Sequence, residues 1–100
     1  MTSKLDATSI KESIDSKEFY LRELNLDRFG HRSGQWAVAG LCPFHDDRNA
    51  GSFQINITSG AFKCWSCAAS GGDVIAFVMQ KYNLSFREAL AWLVKAGGGL

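Results

Sequence analysis

Hydrophobic positions change period from one segment of the chain to the next. Between residues 52 and 57 they alternate, with Phe53, Ile55 and Ile57 on one side and Gln54 and Asn56 on the other. A period of two is that of a half-buried strand. Thr58-Ser59-Gly60 supplies a turn, and residues 61–65 return as the partner strand. Upstream, Trp36-Ala37-Val38-Ala39-Gly40-Leu41 reads as a small-residue strand, with Gly40 at a close backbone approach. Phe29-Gly30-His31-Arg32-Ser33-Gly34 reads as a strand end and turn.

Downstream the period lengthens to that of a helix. Ser70-Gly71-Gly72-Asp73 breaks the sheet, and Asp73 is the expected N-cap of a helix over 74–82. There Val74, Phe77 and Val78 adjoin Ile75, Met79 and Tyr82 in one wide apolar stripe. Asn83 ends that helix. Ser85-Phe86-Arg87-Glu88 is a capping box, with Leu84 placed to staple against Ala89. Phe86, Ala89, Leu90, Leu93 and Val94 form the expected buried face of a second helix, with Phe77 and Phe86 both assigned to the core.

Near the start, Ser9-Ile10-Lys11-Glu12 matches the same box and predicts a helix over 9–15. Residues 17–35 mix periods of two and three. An extended arm into an irregular strand is the preferred reading, with a short helix over 17–24 as the alternative. The polar stretch 1–8 is expected to be disordered, and 97–100, with three glycines, reads as a linker or an artificial end. The expected class is α+β: a small antiparallel β-sheet with flanking helices, two of them C-terminal, forming one domain over 9–96.

One hundred residues make one small domain. A hydrophobic share of 46% provides a core, but so short a chain buries too little to hold without a staple. The staple is written in the cysteines. All three lie in the pattern C-x2-H-x18-C-x2-C: Cys42-Pro43-Phe44-His45, answered by Cys64-Trp65-Ser66-Cys67. Each half puts two soft ligands two residues apart, where a tight turn aims both at one ion. Zn²⁺ takes four such ligands in a tetrahedron, and three cysteines with one histidine are a standard closed set.

Rival readings leave residues unused. A disulfide would strand one cysteine and leave His45 unexplained. A redox pair at Cys64 and Cys67 would leave Cys42 and His45 idle. A catalytic zinc keeps one position open for water, whereas four protein ligands close the shell. The reading is therefore one structural zinc held by Cys42, His45, Cys64 and Cys67, with strands hung between two knuckles as a zinc ribbon.

Charge limits what the domain can grip. The formal net charge is +1 with thiols neutral. Three thiol protons lost for one dication gained bring the metal-loaded domain to about zero. Free-standing nucleic-acid binders usually carry a basic excess, so any hold on DNA or RNA is local or shared with another domain. No apolar leader and no stretch of the roughly 18 apolar residues of a spanning helix occurs. A soluble, cytoplasmic, reduced protein away from membranes is expected.

From Trp36 to Ala96 the sequence resembles the zinc-binding domain of bacterial-type DNA primases, including those of phages, plasmids and mobile elements. Gly40-Leu41-Cys42-Pro43-Phe44-His45 is similar to that family's first knuckle, and Ser52-Phe53 to the opening of its next strand. Phe62-Lys63-Cys64-Trp65-Ser66-Cys67 resembles its aromatic-x-Cys-aromatic-x-Cys. Gly71-Gly72-Asp73-Val74-Ile75-Ala76-Phe77-Val78 resembles its glycine-led helix, and Ser85-Phe86-Arg87-Glu88-Ala89 the following one. After the histidine, Asp47 and Arg48 match the family's acidic and basic positions, but Asn49-Ala50-Gly51 replaces its Thr-Pro and lengthens the loop.

The resemblance implies a module that helps a primase choose where on single-stranded DNA template an RNA primer starts. Polymerisation in the family belongs to a separate catalytic domain with acidic clusters. This chain alone is therefore expected not to be an enzyme, and Asp46 and Asp47 read as a solvated loop. Expected partners are the template, a primase catalytic domain in cis or in trans, and a replicative helicase.

Single strands are held by aromatic platforms and cations that track the backbone. If Phe62 and Cys64 point inward, Lys63 and Trp65 point out as a stacking-plus-charge pair. Arg48, Arg32 and His31 extend the candidate patch, Trp36 is platform or core, and Trp92 is packing or a docking surface. The rival function is a zinc-ribbon docking module that binds a helicase or another replication protein with little DNA contact, which near-zero charge favours. A self-standing primase is a third reading, opposed by the missing catalytic carboxylates.

Overall fold

The alternating stretch after Ser52 lies at the middle of an antiparallel sheet. The computed structural model describes residues 6–46, 48 and 51–96. Two helices come first, α1 (Ala7–Ser13) and α2 (Ser16–Glu23). Five strands follow: β1 (Arg32–Ser33), β2 (Trp36–Val38), β3 (Phe53–Asn56), β4 (Phe62–Cys64) and β5 (Ser70–Gly71). Helices α3 (Val74–Tyr82) and α4 (Phe86–Ala96) close the described fold. The strands lie side by side in sequence order, every neighbouring pair antiparallel. The α+β class with a small ribbon sheet and two C-terminal helices is what the sequence predicts.

Register gives the sheet two unlike faces. Ala37 pairs with Ile55 and Ile55 with Phe62, a buried row aimed at the core. Val38 pairs with Gln54, Gln54 with Lys63 and Lys63 with Ser70 in the alternate row, which no residue buries fully. Gly60 makes the β3–β4 turn at φ +83°, a left-handed conformation open to glycine. A Cβ there would stand 2.9 Å from Ser16 Oγ and 3.1 Å from a Val74 methyl. The turn is thus pressed between the starts of α2 and α3.

The core is an aromatic cluster around Phe77. Its ring centroid lies 5.9 Å from Phe19, 5.1 Å from Tyr20, 5.4 Å from Phe44, 6.4 Å from Phe53 and 5.4 Å from Phe62. Most of these pairs meet edge to face, the arrangement ring quadrupoles favour. Helix, sheet and loop each contribute a ring, so burial of one locks the others. Ile10 of α1, Val74, Ile75 and Val78 of α3, and Ala89, Leu90 and Leu93 of α4 complete the interior.

Several expectations are corrected. Residues 17–35 do not begin as an extended arm: α2 is a helix, close to the alternative over 17–24. Asp15 caps it by accepting from the Lys17 and Glu18 amides, and its burial of Phe19 and Tyr20 outweighs the mixed periodicity. Asp6, not Ser9, caps α1, by accepting from the Thr8 amide at 3.3 Å. The Ser9 hydroxyl bonds back to that carboxylate at 3.0 Å, so the helix starts and stops two residues early. Of the stretch 1–8, Asp6 is the cap and residues 7–8 the start of α1; residues 1–5 and the expected linker 97–100 lie outside the described residues.

Gly40, at φ +73°, ends the strand that was expected to reach Leu41. Ser70 and Gly71 do not only break the sheet but pair with Lys63 and Phe62 as a fifth strand. Phe86 is 48% exposed rather than core, because it sits in the first turn of α4, before the buried stripe that starts at Ala89. Other expected caps are present: Asp73 accepts from Ala76 N–H at 2.9 Å, and Ser85 and Glu88 exchange bonds at 2.8 and 3.1 Å. Asn83 ends α3 in the left-handed region. Trp92 packs, stacking on Tyr82 with centroids 4.9 Å apart.

A single buried hydrogen bond joins α2 to the sheet turn: Tyr20 Oη donates to the Gly60 carbonyl at 2.7 Å. Burial pushes that phenol well above its usual range, with the Asp73 charge adding to the effect. Tyr20→Phe would leave the carbonyl buried without its donor. A stability loss of about 1–3 kcal/mol is expected in urea unfolding at saturating zinc; an unchanged midpoint would show that the bond contributes nothing net.

Candidate metal centre

The first knuckle leaves β2 through the Gly40 turn. Cys42 is buried, and the Phe44 amide donates to Cys42 Sγ at 3.3 Å. Phe44 also lays its ring on Phe62, centroids 5.5 Å apart and planes 20° from parallel. The residue between the two ligands therefore anchors the knuckle to the aromatic core, which leaves His45 half-buried beside Cys42.

The second knuckle grows directly from β4. Cys64 is the last residue of the strand and fully buried. Its amide bonds the Ala69 carbonyl at 2.8 Å, and its carbonyl accepts from the Ala68 amide at 3.0 Å. Ala68 closes the turn at φ +65°, an uncommon conformation for a residue with a Cβ. This brings the exposed Cys67 back over Cys64.

The four donor atoms, the Cys42, Cys64 and Cys67 sulfurs and a His45 ring nitrogen, all lie within 4.8 Å of one another. Cys42 Sγ and Cys67 Sγ are 3.8 Å apart. A disulfide needs about 2.05 Å. Tetrahedral zinc with Zn–S near 2.3 Å separates its sulfurs by about 3.8 Å, the value seen. Spacing, donor chemistry and burial all fit one closed structural zinc site, as the sequence predicts.

Protonation follows the surroundings. Burial pushes the Cys42 thiol up to about 12, against the partial relief given by the Phe44 amide. Burial also acts upward on Cys64, but the amides of Cys67 and Ser66 aim at its sulfur and hold it below the usual value. Amide donors favour the thiolate, and zinc requires it.

The sequence-predicted contact residues are not all on one surface. Lys63 and Trp65 are together: Lys63 Nζ lies 4.1 Å from the Trp65 ring centroid, and Trp65 is 64% exposed. Gln54, Lys63's cross-strand partner, and Trp36 share this side of the sheet through the register. The alternation of residues 52–57 already pointed Gln54 away from the core.

His31 reaches the Val38 end of the same row, its carbonyl accepting the Val38 amide at 2.9 Å. Arg32 does not share that row. It pairs with Ala37 and so falls on the alternate side, with Nε donating to the Gly34 carbonyl at 3.1 Å. Arg48 is exposed and 3.7 Å from Asp46, both side chains 88% accessible, a pair worth little in water. Asp47, and Asn49 and Ala50 of the loop departure, lie outside the described residues. No helix of the described residues is long and apolar enough to cross a membrane.

The likeness to known proteins runs along almost the whole chain. A family model described as CHC2 zinc finger matches residues 3–98. The DNA primase of Thermotoga maritima is 38% identical over 89 residues, 89% of this chain and 14% of that protein. That of Streptomyces coelicolor is 42% identical over 93 residues, again 14% of the relative's length. The crystal structure of the Aquifex aeolicus primase, containing zinc-binding and RNA polymerase domains, matches with a TM-score of 0.69 at 30% identity. That match covers 95% of this chain and 21% of the other. The chain thus spans about a seventh of the length of these curated relatives.

Two outcomes are expected of the metal centre. Cys64→Ser should abolish a cooperative thermal transition rather than lower it slightly, because metal affinity, on the order of 10–16 kcal/mol in zinc-finger peptides, is part of the folding energy; an unchanged melt by circular dichroism would contradict a structural site. Burial favours the neutral Cys42 thiol, and zinc takes the thiolate, so binding at pH 7 must displace that proton. Calorimetry in buffers of different ionisation enthalpy should then show at least about one proton released, with affinity falling as pH falls.

Proposed function

Because the chain belongs to the CHC2 zinc finger family, we propose that it is the template-recognition module of a DNA primase, holding single-stranded DNA while a separate catalytic domain makes the primer. Start-site choice on the template is the task this reading assigns to it. The observation that carries it is the open sheet face beside the metal, where Lys63 sits over the exposed ring of Trp65. A stacked base needs a flat aromatic surface and its phosphate needs a cation; this pair offers both within one side-chain length.

The metal sets that surface. Trp65 and Ser66 are the residues between two ligands, so fixing Cys64 and Cys67 fixes the base of the platform. Gln54 adds an amide donor and acceptor to the same row, the chemistry that reads exposed base edges. In this reading His31 borders the row at Val38 and Arg48 adds a cation from the loop after the first knuckle, while Arg32, on the Ala37 side of the sheet, has the weaker claim. Near-zero charge in the loaded state suits a module whose affinity is supplemented by a catalytic domain in cis or in trans. On this reading the chain itself carries no polymerising chemistry, and its reduced thiolates fit the cytoplasm.

A second reading has an observation of its own. Tyr82 and Phe86, 40% and 48% exposed, put aromatic surface at the α3–α4 corner, away from the ribbon row. That favours a docking module for a helicase or another replication protein.

Titration of single-stranded oligonucleotides against tryptophan fluorescence separates the two. Template recognition predicts quenching that weakens with salt. Trp65→Ala should weaken binding about tenfold or more, a loss of 1–3 kcal/mol per stacked base. Lys63→Ala should flatten the log–log salt slope by about 0.7. Absence of binding at low salt would favour docking.

A further inference from the structure

Among the described residues Ser52 is buried at 6% exposure, outside the hydrophobic cluster that holds Tyr20. It is not a zinc ligand and precedes β3 by one residue. Both of its polar ends nevertheless reach the second knuckle. Its carbonyl accepts the Trp65 amide at 2.9 Å. Its hydroxyl lies 2.7 Å from the hydroxyl of Ser66.

Ser66 occupies the turn between two ligands, and its own amide, with that of Cys67, aims at the Cys64 sulfur. Cys67 is the ligand with the least packing around it, being exposed while Cys42 and Cys64 are buried. Its turn is otherwise closed by hydrogen bonds to Cys64 alone, from the Ala68 amide to the Cys64 carbonyl and from the Cys67 amide to the Cys64 sulfur. A turn that carries a ligand and lacks core contacts loses precision unless a hydrogen bond supplies it.

We propose that Ser52 is a positioning residue of the metal centre: its hydroxyl, through Ser66, fixes the second knuckle so that Cys67 is held in the tetrahedron. Ser52 acts on the metal through Ser66 and touches neither the ion nor a ligand sulfur in this role. The bond lies between a buried anchor on one strand and an exposed turn on the next. In the folded domain it therefore limits the turn's freedom, and with it that of Cys67. Partners that orient ligands in this way raise metal affinity by roughly ten- to hundredfold.

Ser66 is exposed, so Ser66→Ala tests the bond without opening the core. Zinc affinity is read by competition with a chromogenic chelator, and site geometry by the visible absorption of the cobalt-saturated protein. Ser66→Ala and Ser52→Ala should each weaken zinc about tenfold or more and alter the cobalt bands. The double variant should be no weaker than the worse single one, because both remove the same bond. Ser66→Thr, which keeps a hydroxyl, should restore the wild-type spectrum.

Tyr20→Phe serves as the control, weakening the fold away from the metal while leaving the cobalt spectrum of the saturated protein unchanged. Wild-type zinc affinity and cobalt bands in Ser66→Ala would overturn the proposal. So would fully additive losses in the double variant.

Discussion

Convergence of three sulfurs and one imidazole on a single point is the constraint from which the rest of this structure follows. The donors come from the end of β2 and the end of β4, with 18 residues between His45 and Cys64. Between them run β3 and its partner strand, so closing the tetrahedron also closes the sheet. Without an ion, two buried thiols and a half-buried histidine face one another across distances too long for a disulfide. With it, the same groups become the strongest bond network in a chain with little core to spare.

The core and the metal are not independent. Phe44 lies between two ligands and stacks on Phe62, and Phe62 meets Phe77, the ring at the centre of the aromatic cluster. A shift of the first knuckle would pull on that cluster, and loss of the cluster would release the knuckle. On the other side of the sheet the chemistry is different. Val38, Gln54 and Lys63 make a row that is half-buried to exposed, Ser70 ends it under Gln80 of α3, and Trp65 extends it from the second knuckle. One face is used for cohesion, which leaves the other available for contact.

Much of this was legible in the residues, for a physical reason in each case. Ligand spacing is local chemistry, so Cys42, His45, Cys64 and Cys67 could be read as one site before their distance was known. Strand alternation in 53–57 gave the two faces, and the caps at Asp73 and Ser85 are local hydrogen-bond patterns. What failed depended on distant partners. The α2 segment looked irregular because Phe19 and Tyr20 are buried by Phe77, more than fifty residues away, and not by their own neighbours. The strand at Ser70 exists because β4 offers an edge. Phe86 fits a buried stripe by period, yet the stripe begins one turn later. The register that pairs Arg32 with Ala37, and so separates it from the Lys63 row, likewise depends on a partner strand.

The central claim is that one zinc ion, bound by Cys42, His45, Cys64 and Cys67, holds this fold together. X-ray absorption at the zinc edge, on folded protein purified without added metal, tests it most directly. The account predicts about one zinc per chain in a shell of three sulfurs and one nitrogen, with no oxygen ligand. Folded protein without zinc, or a shell with water in place of the imidazole, would contradict it.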